Sequence, residues 1–228
     1  MARPVREVLL GIPYHITQRG NYRQTVFSRD ADYLYYLELL WHYGQKYGLA
    51  VWAYCLMPNH LHLVAVPEHA LAFARTFGIG HMQYARYRNR CAQQVGHLWQ
   101  GRFFAAPLDE VHCGRAVRYV EMNPVRAGLV AGPEEWPWSS AGIHLRGESL
   151  PGVTYPSPEA LASWREFLGQ EDTPSSIAQL RAGTYAGRPL GDAAFLQQLE
   201  QRFGKSFTRN PRGRPKKTTK FTSDPNYP

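Results

Sequence analysis

The chain alternates between two hydrophobic rhythms. Tyr14–Arg19 switches between apolar and polar residues and is β-branched, which predicts a strand ending at the Gly20-Asn21 turn. From Ser28 or Asp30, either suited to cap a helix, Leu34, Leu37, Leu40 and Trp41 recur at helical spacing until Gly44–Gly48. Leu49–Met57 and His60–Val66 predict two more strands, separated by a break at Pro58-Asn59. Glu68 to Arg90 predicts a second helix, with Gly78 and Gly80 as candidate interruptions, and Arg102–Asp109 a fourth strand. His112–Met122 predicts a helix closed at Asn123-Pro124, because a residue before proline is pushed out of the helical region. The order β-α-β-β-α-β followed by a helix predicts an α+β fold of the ferredoxin-like, split βαβ kind, with an antiparallel sheet. Beyond Trp138 the chain becomes rich in glycine and proline, with helical candidates at Glu159–Leu168 and Asp192–Phe203.

Composition narrows the class. With 44% hydrophobic and 13% aromatic residues the chain can bury a real core, which excludes wholesale disorder. No apolar run approaches the ~18 residues of a membrane span, and the first residues lack the unbroken apolar stretch of a signal peptide. Cys55, Cys91 and Cys113 are far apart, which fits reduced thiols of a cytoplasmic protein better than a disulfide framework or zinc knuckle. The formal charge of +8 is unevenly spread: residues 1–133 carry net +6, residues 134–200 net −5, and residues 201–220 hold eight basic groups and no acid. Separate basic segments suggest contact with a polyanion, although charge alone fits ordinary solubility as well.

Two segments carry candidate chemistry. In Met57-Pro58-Asn59-His60-Leu61-His62-Leu63-Val64, residues two apart share a strand face, so His60 and His62 point together and Leu61 and Leu63 oppose them. Two neutral imidazoles on one rigid strand make a divalent-metal edge; two unrelated histidines on a half-exposed strand fit the same spacing. In Arg118-Tyr119-Val120-Glu121-Met122-Asn123-Pro124, Tyr119 and Asn123 are four apart on one helix face, with Arg115 a turn earlier. A phenol can act as a covalent nucleophile if a metal or cation assists it, but a tyrosine beside valine and methionine also serves simple packing.

Taken with YHITQRGNYRQTVF upstream and LWQGRFFAAPLDE between them, MPNHLHLV and RYVEMNPVRAGLV resemble the REP-associated tyrosine transposases. These are relatives of the single-tyrosine insertion-sequence transposases within the HUH endonuclease superfamily. The resemblance runs from Tyr14 to the EWPWSSA stretch at Glu135–Ala141. It implies an HUH core at residues 1–145, His60 and His62 as ligands of Mg²⁺ or Mn²⁺ with Asn123 as the third, and Tyr119 as the nucleophile. The implied activity is cleavage and transfer of single-stranded DNA at hairpin-forming palindromic repeats through a 5′-phosphotyrosine. A non-catalytic hairpin-binding regulator and a replication-initiator or relaxase nickase are the alternatives on the same fold. The group is expected to act as monomers in the bacterial cytoplasm, associated with the nucleoid, whereas insertion-sequence relatives are dimers.

Candidate DNA contacts follow from residue type. Arg19, Asn21, Tyr22 and Arg23 form a loop dense in donors, in which Tyr22 stands where relatives mostly have Asn and is suited to stack on an unpaired base. Arg86, among interleaved tyrosines, together with Arg102 and Arg126, suits phosphate contact; a solvated helix face explains the run around Arg86 equally well. Residues 146–203 read as an acidic, partly helical extension, and 204–228 as a basic tail, disordered when unbound. Within the tail, Arg212-Gly213-Arg214 is similar to a minor-groove hook, and a generic polybasic tail fits the run equally well.

Overall fold

The structure is a computed structural model and describes residues 8–148, 164–204 and 206–207. Four strands, β1 (Tyr14–Arg19), β2 (Leu49–Met57), β3 (His60–Pro67) and β4 (Phe104–Pro107), form one sheet in the order β2-β3-β1-β4. Every pairing is antiparallel, as the ferredoxin-like reading requires. Three helices follow the predicted positions: α1 (Asp30–Tyr47), α2 (Ala72–Ala92) and α3 (Glu110–Glu121). Five more complete the described chain: α4 (Asn123–Arg126), α5 (Ala141–Leu145), α6 (Trp164–Gly169), α7 (Pro174–Ala186) and α8 (Ala193–Phe203).

The alternation of strand residues divides the core between the two faces of the sheet. Ile16, Leu61 and Leu63 pack with Tyr36, Leu40, Phe73 and Phe77, beneath α1 and α2. On the other face Ala53, Val64 and Ala106 pack with Val117 and Val120 of α3, Leu168 of α6 and Leu180 of α7. His60 and His62 share this second face with His15, Thr17 and Arg19, because β1 pairs with β3 with Thr17 opposite His62.

Several boundaries differ from expectation for identifiable reasons. Helix α1 begins after Arg29 rather than on a Ser28 or Asp30 cap. The chain entering it is held instead by buried Asp32 of its first turn, whose carboxylate accepts from the backbone N–H groups of Ser28 and Arg29, both at 3.0 Å. Helix α2 starts later than Glu68 and runs unbroken through Gly78 and Gly80. A Cβ on Gly80 would lie 3.9 Å from Tyr43, so a small residue there lets α1 and α2 approach. Asn123-Pro124 ends α3 as expected, but the chain re-enters a helix at once, because proline is tolerated in a first turn. Gly48 closes α1 at φ +67°, where an L side chain is strained.

Helix α7 is the one substantial element that the hydrophobic pattern does not predict. It is capped by Thr173, whose hydroxyl accepts from Ser176 N–H, has Pro174 in its first turn, and ends at Gly187 with φ +65°. It lies beside β4, where Leu190 N–H donates to the Pro107 carbonyl. The expected helix at Glu159–Leu168 is seen only from Trp164 onward, its earlier residues lying outside the described ones; Asp192–Phe203 forms α8 with Asp192 as its cap. Nearly all of the basic tail, including Arg212 and Arg214, lies outside the described residues. No helix among the described residues is long and apolar enough to cross a membrane.

Candidate active site

A cavity of about 400 Å³ opens on the α3 face of the sheet. It is lined by the β1 side chains His15, Thr17 and Arg19, by His60 and His62 of β3, by Tyr119 and Asn123, and by Arg126, Arg181 and Thr184. Four of the residues singled out for chemistry, His60, His62, Tyr119 and Asn123, therefore meet in one place, and two of the DNA-contact candidates, Arg19 and Arg126, meet there too. Arg115 does not share the cavity; it borders a small crevice on the far side of Tyr119.

The Tyr119 ring is buried and stands edge-on to His62 and His15, with ring centres 5.3 and 5.6 Å away. Two guanidiniums flank it. Arg181 Nε–H donates to the Tyr119 hydroxyl at 3.0 Å. Arg126 lies 4.5 Å over the ring centre and donates to the Tyr119 carbonyl. No carboxylate lines the cavity, so its charge is positive.

The three imidazoles are held neutral. Burial pushes His15 down to about 3, and burial followed by the nearby Arg19 and Arg181 charges pushes His60 down to about 4. Burial, then His60, His15, Arg19 and Arg126, holds His62 well below the ordinary imidazole value. Buried His81, on the opposite face, is pushed down to about 3 by burial. A histidine whose folded value is depressed resists protonation that the unfolded chain accepts, so stability is complete above about pH 6.5 and is lost as pH falls below it. His15 and His81 should together cost about 4 kcal/mol between pH 7 and pH 5, about 2 kcal/mol each. Urea unfolding at the two pH values should show this loss; equal stability at both would contradict the neutral burial of these rings.

The donor set has the chemistry of a divalent-cation site. Among the described residues no group of three His, Cys, Asp or Glu side chains is placed to hold a metal ion, so the donors this cavity could offer one are two imidazoles and the Asn123 amide. Asn123 is buried and its amide nitrogen has no hydrogen-bond partner, leaving this amide uncommitted beside the histidines. A mixed set of nitrogen and amide-oxygen donors fits Mn²⁺ or Mg²⁺ and leaves coordination positions for other oxygens. Arg19 Nε is likewise buried without a partner, a donor suited to an anion entering the cavity.

The remaining DNA-contact candidates are dispersed. Asn21–Arg23 form a single 3₁₀ turn beyond β1, in which Tyr22 and Arg23 both adopt left-handed backbone (φ +49° and +61°) and Tyr22 is 95% exposed. Two such residues in succession store backbone strain. The turn is pinned by Gly20 N–H to the Asn59 carbonyl and Asn21 N–H to the Leu98 carbonyl, at 2.9 and 2.8 Å. Asn59 also links it to the site, since its Nδ2 donates to the Arg23 carbonyl at 3.4 Å and its Oδ1 accepts from His60 at 2.6 Å. Arg86 is exposed on α2. Arg102 borders a separate, mainly apolar cavity of about 450 Å³ on the α2 side, with Gln18, Phe77 and Trp99.

Sequence reasoning did not single out His15, Thr17, Arg181 or Thr184. The first two sit at period-two positions with Arg19; the last two lie on α7, whose start is signalled only by Thr173-Pro174.

Comparison with known proteins bears on the family and the fold. The family described as "Transposase IS200 like" matches residues 9–123, from before β1 through Asn123. A REP-associated tyrosine transposase of Haemophilus influenzae is 26% identical over 118 residues, which span 47% of this chain and 67% of that protein. A solved structure of a REP-associated tyrosine transposase bound to a REP hairpin superposes with a TM-score of 0.51 at 18% identity, covering 68% of this chain and 93% of the other, and shares the fold. The motifs on β3 and α3, the sheet order and the family match lead to one assignment: the chain belongs to the IS200-like transposase family.

Proposed function

We propose that this transposase cuts and rejoins single-stranded DNA at hairpin-forming repeats, with Tyr119 as nucleophile and a divalent cation at His60, His62 and Asn123. The observation that carries this reading is the meeting of a tyrosine hydroxyl, two neutral strand histidines and an uncommitted buried amide in one carboxylate-free, arginine-rimmed cavity. His60 and His62 would offer imidazole nitrogens, and Asn123 its amide oxygen. A bound Mg²⁺ or Mn²⁺ supplies charge neutralisation for a scissile phosphate.

The chain's own residues account for the rest. Arg19, Arg126 and Arg181 bind and orient the phosphate in a site where their charge meets no competing carboxylate. The Arg181 N–H donated to the Tyr119 hydroxyl strengthens as negative charge develops on that oxygen. Tyr119 Oη attacks phosphorus, the bond from phosphorus to the 3′-oxygen breaks, and the phenolic proton is replaced on the departing oxygen through solvent. The products are a 5′-phosphotyrosine and a free 3′-hydroxyl. Because the diester is exchanged rather than hydrolysed, a second 3′-hydroxyl can reverse the step without a nucleotide cofactor. Tyr22, projecting from its strained turn, is placed to stack on an unpaired base beside the hairpin. The likeness to a hairpin-bound relative supports the choice of substrate.

The test uses the full chain and a labelled DNA hairpin with a single-stranded flank. In Mn²⁺ it should yield a denaturation-resistant adduct in which the protein is joined to the 5′ end of the fragment lying 3′ of the cut, and EDTA should abolish it. Hairpin binding with no adduct in any divalent cation would favour the regulator reading; an adduct that persists in EDTA would remove the metal.

A further inference from the structure

The metal ligand His62 is not free to choose its tautomer. Thr184, in the last turn of α7, donates its hydroxyl proton to the Leu180 carbonyl one turn back, at 2.8 Å. A hydroxyl has one proton, so Thr184 Oγ1 can only accept from His15 Nδ1, 2.7 Å away. His15 Nδ1 therefore carries the ring proton, and His15 Nε2 is a bare acceptor. That nitrogen lies 3.0 Å from His62 Nδ1, and two ring nitrogens at this distance need one proton between them. His62 must supply it from Nδ1, which leaves its Nε2 as the unprotonated nitrogen. The two rings are nearly parallel, 8° apart, with centres separated by 5.2 Å.

We infer that His15 and Thr184 are positioning residues, a hydrogen-bonded relay that runs from α7 across β1 to β3 and presents His62 Nε2 to the cation. The relay rests on the metal reading proposed above. His60 reaches the same state by a local route. Asn59 uses its amide N–H on the Arg23 carbonyl, so its Oδ1 accepts from His60 Nδ1 and His60 Nε2 is left bare. Both ligands thus offer the same ring atom, one set by its neighbour in sequence and the other by a residue 122 positions away on a helix outside the family-matched segment. Second partners of this kind fix ring orientation and raise the basicity of the ligating nitrogen. The relay also explains why His15, though it borders the cavity, is not a third imidazole ligand: both its nitrogens are engaged.

The experiment is ring-nitrogen NMR of the metal-free, ¹⁵N-histidine-labelled full chain, combined with Mn²⁺ titration followed by electron paramagnetic resonance. In the unmodified protein His62 should show a protonated Nδ1 and a bare Nε2. Thr184→Val keeps the side-chain shape but removes the acceptor; it should populate the other His62 tautomer and weaken Mn²⁺ binding roughly 10-fold or more. Thr184→Ser should restore both readouts, which separates the relay from any general loosening of α7. The relay is overturned by a protonated Nε2 on His62 in the unmodified chain, or by Thr184→Val binding Mn²⁺ as tightly as the original with the tautomer unchanged. If the unmodified chain shows the expected tautomer yet takes up no Mn²⁺, the metal reading fails, and the relay loses its role with it.

Discussion

Replacing Tyr119 by phenylalanine is expected to abolish the covalent DNA adduct and lower strand cleavage by roughly three orders of magnitude or more, while hairpin binding persists. The substitution is conservative for the fold. The ring is 3% exposed and packs edge-on against His15 and His62, contacts that phenylalanine keeps. Only the hydroxyl disappears, and with it the bond from Arg181 Nε. The measurement is a denaturing gel of the labelled hairpin in Mn²⁺ beside a filter-binding assay on the same preparation. Among the described tyrosines Tyr185 also borders the cavity, so Tyr185→Phe is the necessary control. An adduct that survives in Tyr119→Phe and is lost in Tyr185→Phe would move the nucleophile to α7.

The second large effect is on stability. Glu121, two residues after Tyr119, is completely buried and accepts hydrogen bonds from Ser140 Oγ and His144 Nδ1, both at 2.5 Å, and from Trp164 Nε1 at 2.8 Å. These donors belong to the segment before α5, to α5 and to α6, so one carboxylate ties α3 to three later pieces of chain. Glu121→Ala deprives all three donors of their acceptor and should cost about 3–5 kcal/mol, the range for breaking a buried charged network. In a protein of this size that lowers the melting temperature by roughly 6–20 °C, readable by calorimetry. The exposed pair Arg146–Glu148 provides the contrast: its removal should leave the melting temperature nearly unchanged, because solvent screens the pair. A Glu121→Ala protein that melts with the original would mean that α3 is held by apolar packing alone.

How far the sequence reveals this molecule depends on the range of the interaction involved. The period-two and period-3.6 patterns mark all four strands and α1–α3, because those elements bury apolar residues at regular spacing. The same alternation that puts His60 opposite Leu61 also puts His15, Thr17 and Arg19 on one face of β1. What local pattern does not contain is that β1 lies beside β3, and without that pairing His15 and Thr17 have no neighbours to interpret. Helix α7 escapes for a different reason. Its buried positions are Leu180, Gly183 and Thr184, one large apolar residue among small and polar ones, so hydrophobic periodicity is nearly silent. The small residue is required: a Cβ on Gly183 would sit 2.6 Å from Leu190. Arg181 and Thr184 are consequently invisible until the chain is folded, whereas Tyr119 and Asn123, four apart on consecutive helical turns, are legible as a pair. Arg115 shows the limit of that reasoning, since helical spacing places it near Tyr119 but on the side away from the cavity.

The anchoring of Glu121 bears on how strands are exchanged. An arm that ferries a covalently attached strand end from one place to another needs a pivot next to the residue that carries it. The helix bearing Tyr119 has the opposite: immediately past the tyrosine it is clamped at Glu121, and Asn123 and Arg126 follow within two turns, one beside the histidines and the other bonded back to the Tyr119 carbonyl. On the proposed function the tyrosine would be a fixed post rather than a lever. Rejoining would then be a matter of DNA ends changing places around a stationary helix, the choice between resealing the original strand and joining a new one lying with whichever 3′-hydroxyl reaches the post first.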